Sequence, residues 1–177
     1  VSPEPTPSQT IGPFFHDSLL ERDLTELVSP DKPHAIRIGG AVYDGAGDPV
    51  PDAMIEVWQA DAAGRYGSED LSGFGRSGTD ANGKFSFVTV KPGLVSGPDG
   101  SLQAPHVNVS VFARGLLKRV VTRVYFPDEE ANAADPVLSL IEDQALRETL
   151  VADDEGDGSY RFDVHLQGEG QTAFFDV

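Results

Sequence analysis

Proline and glycine punctuate this chain from one end to the other. Thirteen prolines and nineteen glycines are spread along 177 residues instead of clustering. Proline fixes φ and removes a backbone donor, and glycine weakens helix interiors, so this spacing favours many short elements joined by turns. The expected fold class is all-β. The length supplies one ordinary hydrophobic core and leaves little room for a second domain.

Strands are expected at 35–44, 53–61, 84–93, 105–113, 119–126 and 160–168, where apolar and polar residues alternate between turn signals. Met54, Glu56, Trp58 and Ala60 share one parity, as do Phe85, Phe87 and Thr89. TDANG at 79–83 carries the Asp, Asn and Gly of a hairpin-type reversal. The predicted architecture is a β-sandwich of mostly antiparallel strands, with one helical excursion near 135–150 where Asp135 and Pro136 form an N-cap and N1 pair. Prolines at 3, 5, 7 and 13 make the first residues an extended arm, and a short helical turn is expected around Ser18 to Leu27. Residues 1–34 thus read as arm and loop and 35–177 as the sandwich domain, with 153–157 (DDEGD) a solvated loop.

The formal net charge of −16 argues against nucleic acid or an anionic membrane as partner, because either polyanion would be repelled. Small molecules and proteins remain. The absence of cysteine removes disulfides, thiolate metal sites and cysteine nucleophiles, and suits a cytoplasmic location. No apolar run approaches the length of a membrane span, and VSPEPTPSQT lacks the features of an export signal.

The candidate chemistry lies on APHVNVSVFARG, 104–115. Strand periodicity puts His106, Asn108, Ser110, Phe112 and Arg114 on one face and Val107, Val109, Val111 and Ala113 on the other. The apolar face is core. A regular strand would separate His106 from Arg114 by roughly 26 Å, too far to serve one small-molecule site. Four histidines occur in no H-x-H or H-E-x-x-H pattern, so a hydrogen-bonded structural role is the ordinary reading of His106. Arg114, Lys118, Arg119 and Arg123 form a cationic island without an intervening acid, which either attracts an anion or balances the acidic 128–157 segment. Tyr66 follows Gly64 and Arg65 and by default is a core or interface tyrosine.

TPSQTIGPFFH (6–16), VYDGAGDPVPDAMIEVWQADAAGRY (42–66), FGRSGTDANGKFSFVTVKPG (74–93), APHVNVSVFARG, TRVYF (122–126) and YRFDVHLQGEGQTAFFD (160–176) occur in this order over nearly the whole chain. Together they resemble the intradiol ring-cleavage dioxygenases. The APHVN, FARG and QGEGQTAFFD forms resemble the α-type chains of the hetero-oligomeric members in particular. The resemblance implies a β-sandwich subunit that pairs with a homologous β subunit. That partner would hold non-haem Fe(III) through two tyrosines and two histidines, at an active site on the α/β interface. The implied reaction uses O2 to cleave protocatechuate to 3-carboxy-cis,cis-muconate, a step of aromatic catabolism in the β-ketoadipate pathway.

On this chain the family's ligand positions fall at Tyr66, Val95, His106 and Asn108. Two of the four are no longer ligands, and hard ferric iron requires the anionic oxygen that valine lacks. No catalytic iron is expected in this chain alone. The resemblance further implies that Thr10, Gly12, Pro13 and Arg114 contribute to the partner's substrate pocket. Position 14 is Phe where the family's α chains carry Tyr. Competing expectations are a non-catalytic transthyretin-like binding or structural module, and a self-sufficient metalloenzyme using Tyr66, His106 and unrecognised ligands.

Overall fold

The computed structural model describes residues 18–97 and 100–176. The arm's Thr10, Gly12 and Pro13 lie outside the described residues. Eleven strands follow in order: β1 (Ala35–Tyr43), β2 (Met54–Gln59), β3 (Phe74–Gly78), β4 (Lys84–Val90), β5 (Val95–Ser96), β6 (Leu102–Gln103), β7 (His106–Phe112), β8 (Val120–Tyr125), β9 (Asp153–Gly156), β10 (Ser159–Arg161) and β11 (Val164–His165). One sheet has the order β3-β2-β7-β8, and a second runs β11-β1-β10-β9 with β4 also on β1. The all-β sandwich expectation holds.

Alternation drives the two faces together. Ile36, Ile38 and Val42 of β1 and Phe85 and Phe87 of β4 meet Ile55, Val57, Val107, Val109, Val111 and Val124 of the opposite sheet. Each fully buried side chain of this size contributes about 1.5–3 kcal/mol relative to exposure. A second apolar cluster, formed by Ala104, Tyr125, Leu138, Leu150 and Ala173, covers the outer face of β7 and β8 at the His106 end. That cover makes the site end of the sheet a three-layered one.

Several expectations change. TDANG does reverse the chain, with Asp80 Oδ1 accepting from Asn82 N at 2.8 Å and Lys84 N at 2.9 Å, but it is not a hairpin. It carries the chain from β3, which pairs with β2, to β4, which pairs with β1, so the turn joins the two sheets. β3 itself escapes sequence reading, because FGRSG has two glycines and little strand propensity. The 160–168 strand breaks into β10 and β11, both parallel to β1. The break is made by Asp163, whose Oδ1 accepts from Ala41 N at 2.9 Å in place of a backbone carbonyl.

The DDEGD segment is not a loop. Its first four residues form β9, an exposed edge strand on β10. Acidic side chains on an edge stay solvated while discouraging further strand pairing. Ser18 to Leu27 is helical only at 18–19 and then extends. Leu24 bridges Arg76 of β3 and Glu26 bridges Val88 of β4, which straps one edge strand of each sheet. The helical excursion expected near 135–150 resolves into a 3-10 turn at Leu138–Leu140 and an α-helix at Gln144–Glu148, and a further 3-10 turn precedes it at Glu130–Ala134. Asp135 accepts from Val137 N and Leu138 N, and Asp143 caps the helix through Ala145 N and Leu146 N. Two caps eight residues apart divide the segment.

Candidate functional site

The loop that carries Tyr66 is fixed by Asp61. Its Oδ1 accepts from Ala63 N at 2.9 Å and Arg65 N at 3.0 Å, while Oδ2 accepts from Arg65 Nε at 3.0 Å. The bond from the Arg65 backbone is the largest cause holding the Asp61 carboxyl down at about 2, against the opposing cost of burial. Backbone contact at glycine then brings this loop against the KPG loop. A Cβ on Gly64 would lie 1.9 Å from Leu94 O, and one on Gly93 would lie 2.5 Å from Ala62 O. The two motifs are neighbours because neither glycine can carry a side chain there.

Tyr66 is 38 % exposed and stacks on Trp58 with ring centroids 5.7 Å apart. Its hydroxyl accepts from Asn108 Nδ2 at 3.2 Å, and the same amide nitrogen donates to Trp58 O at 3.2 Å. Asn108 therefore links the phenol to the sheet. Val95 is buried in β5 opposite Gln103 of β6. Gln103 Oε1 accepts from Arg123 Nη1 at 2.8 Å, and Arg123 stands across the ladder from Asn108. Tyr66, Asn108 and His106 thus cluster on one end of the β2-β7-β8 face, and Val95 joins them through Gln103 and Arg123.

His106 lies on the outer face but is only 1 % exposed, packed against Ala104 and Tyr125 of the second apolar cluster. Nδ1 is 2.7 Å from Ala104 O, so the proton sits on Nδ1 and is donated to that carbonyl. Burial, then the Arg123 guanidinium, pushes the imidazole down to about 4. Beneath it Asp135, fully buried, accepts from Ala104 N at 2.8 Å and from the Tyr125 hydroxyl at 3.1 Å. This polar network was not visible in the sequence beyond the capping role of Asp135.

A ferric ion does not fit these residues. Val95 offers no donor atom, the Asn108 amide presents its nitrogen to Tyr66, and the Arg123 cation occupies the neighbouring position. Ferric iron needs anionic oxygen donors and is repelled by an adjacent guanidinium.

Arg114 stands at the other end of the same face, after β7, with a side chain 75 % exposed. The cationic island is partly neutralised by acids distant in sequence. Arg114 Nε meets Asp52 Oδ2 at 3.1 Å, and Lys118 Nζ meets Asp176 Oδ1 at 2.8 Å. The 128–157 acids are not its counter-charges in these pairs; Lys91 instead holds Asp128 and Glu129, at 2.7 and 2.5 Å. Asp52 is the partner of Arg114 that sequence reasoning missed.

The Dioxygenase_C family, described as a dioxygenase, matches residues 11–168. The chain belongs to this dioxygenase family. The protocatechuate 3,4-dioxygenase alpha chain of Pseudomonas putida is 46 % identical over 97 % of this chain and 96 % of its own length. The corresponding alpha chain of Burkholderia cepacia is 45 % identical over 97 % of both. The beta chain from Burkholderia cepacia is 32 % identical over 93 % of this chain and 77 % of its own. Among solved structures, the dioxygenase domain of a carbohydrate-binding fusion from Streptomyces sp. SirexAA-E superposes with a TM-score of 0.66 at 29 % identity, covering 93 % of this chain and 99 % of that one. The chain carries GRY at 64–66 and KPG at 91–93 within the matched residues.

Proposed function

We infer that this chain is the α-type subunit of a protocatechuate-cleaving intradiol dioxygenase, which carries no catalytic iron itself and completes the active site of a homologous iron-bearing β subunit. The observation that carries this reading is the altered cluster at Tyr66, Val95, His106 and Asn108 in a chain similar over its whole length to alpha chains. The partner's Fe(III) supplies Lewis-acid chemistry toward the catechol oxygens. Both atoms of O2 enter the product, 3-carboxy-cis,cis-muconate.

This chain's contribution is a pocket wall and a charge. Thr10, Gly12 and Pro13 are the arm residues assigned to the pocket wall in this reading, and Arg114 supplies a positive group where a carboxylated, anionic substrate must approach a chain of net charge −16. Residues 35–177 form the sandwich domain in this reading and 1–34 the arm, of which 24–27 are tied to the sheets. A reducing cytoplasm is the proposed compartment, consistent with the lack of cysteine. Among the described residues no helix is long and apolar enough to cross a membrane.

Expression decides between this reading and its rivals. The chain alone should purify colourless and inactive, and co-expression with the β subunit should give the tyrosinate-to-iron absorption band and protocatechuate turnover. A coloured, active lone chain would establish a self-sufficient metalloenzyme instead. Failure to associate with any iron-bearing homologue would leave a non-catalytic sandwich module.

A further inference from the structure

Arg114 is an exposed side chain on a turn, and a free arginine there would sample many rotamers. The fold does not leave it free. β2 and β7 pair antiparallel with Met54 opposite Phe112 and Ile55 opposite Val111. Asp52 and Arg114 lie two residues beyond those strand ends, both in turns, and the ion pair joins them there. The outer face of the ladder beside them carries Glu56, Trp58, Ser110 and Asn108.

Asp52 is itself on a clamped backbone. Its neighbour Ala53 donates its N–H to Thr79 Oγ1 at 3.0 Å and accepts from Thr79 N at 2.9 Å. The Thr79 hydroxyl in turn donates to Val50 O at 2.7 Å. Thr79 thus pins the β1–β2 connection on both sides of Asp52. The carboxylate reaches Arg114 through Nε, at 3.1 Å. An ion pair at Nε restrains the stem of the guanidinium, and a guanidinium binds a carboxylate through its Nη1 and Nη2 fork with two parallel hydrogen bonds.

We propose that Asp52 is a positioning residue: it orients Arg114 so that the guanidinium fork presents to the carboxylate of the aromatic substrate in the partner's pocket. This rests on the role given to Arg114 above. Two effects of Asp52 oppose each other, which makes the sign of the result informative. As a positioning group it lowers KM, and its removal raises KM. As a mere negative charge near an anionic substrate it repels, and its removal lowers KM.

The test uses the α/β complex, with steady-state turnover of protocatechuate and equilibrium binding of 4-hydroxybenzoate, which carries the carboxylate but cannot chelate through two adjacent hydroxyls. Asp52→Ala should raise KM and the 4-hydroxybenzoate Kd by about threefold with kcat nearly kept, and Asp52→Glu should restore part of the loss. Arg114→Ala should raise both constants by about tenfold, with Asp52→Ala adding nothing to it. A lower KM in Asp52→Ala, or no change while Arg114→Ala is impaired, would overturn the positioning role and leave Arg114's role intact. An unimpaired Arg114→Ala would instead overturn the role of Arg114 itself. Iron content and the melting temperature of each complex should match the parent, since exposed ion pairs add little to stability.

Discussion

At the residue scale, His106 shows how burial can convert a ligand type into a structural group. Its imidazole is neutral, covered, and committed through Nδ1 to Ala104 O. The ordinary pKa of 6.5 falls to about 4 in the folded chain, so the unfolded chain binds a proton more readily between those values. Stability is therefore full above pH 6.5 and falls as the pH drops toward 4, by about 3 kcal/mol in total. Urea midpoints measured across this window should show that decline, and His106→Gln should flatten it. Arg123 beside this group makes reconstruction of a metal site difficult. Val95→Tyr with Asn108→His should take up only substoichiometric iron by metal analysis, because neither change removes the guanidinium bonded to Gln103.

Among the elements, the seam between β1 and the β10–β11 pair depends on a residue with no side chain. A Cβ on Gly40 would lie 1.9 Å from Phe162 O, next to the point where Asp163 replaces a backbone partner for Ala41. Gly40→Ala should destabilise the chain by about 1–3 kcal/mol, read as a lower urea midpoint with an unchanged slope. The strand periods of β1, β2, β4, β7 and β8 were legible because each contributes apolar residues to the central core. β3 and β9 were not, since one is glycine-rich and the other wholly exposed. Both are edge strands, whose residues take extended form from the neighbour they pair with and not from an apolar face of their own. Leu24 and Glu26 likewise extend because β3 and β4 offer them backbone partners.

For the whole molecule, the acidic balance has a kinetic consequence. A subunit of charge −16 repels an anionic substrate at long range, and Arg114 offsets that only locally. Truncating Arg114 leaves that repulsion unopposed, so added salt should lower the KM of the Arg114→Ala complex more than that of the parent, checked by steady-state kinetics at low and high ionic strength. The single outer face of the β3-β2-β7-β8 sheet carries both ends of the APHVNVSVFARG stretch: the altered cluster at one end and the Asp52–Arg114 pair at the other. Period 2 alone determined that face. The spread of proline and glycine determined the class of fold, and the ordered motifs the family.

What tertiary structure decided is which groups meet. The sequence shows four cations within ten residues without an acid, yet Asp52 and Asp176 reach two of them from positions 62 and 58 residues distant along the chain. The sequence shows His106 on the polar face, yet it is buried against Ala104 and Tyr125, which belong to an apolar cluster completed by Leu138 and Leu150 of a separate segment. Periodicity specifies the face of a strand to which a side chain points. It does not specify what covers that face or what charge stands opposite, because both come from segments brought in by the pairing of sheets and loops.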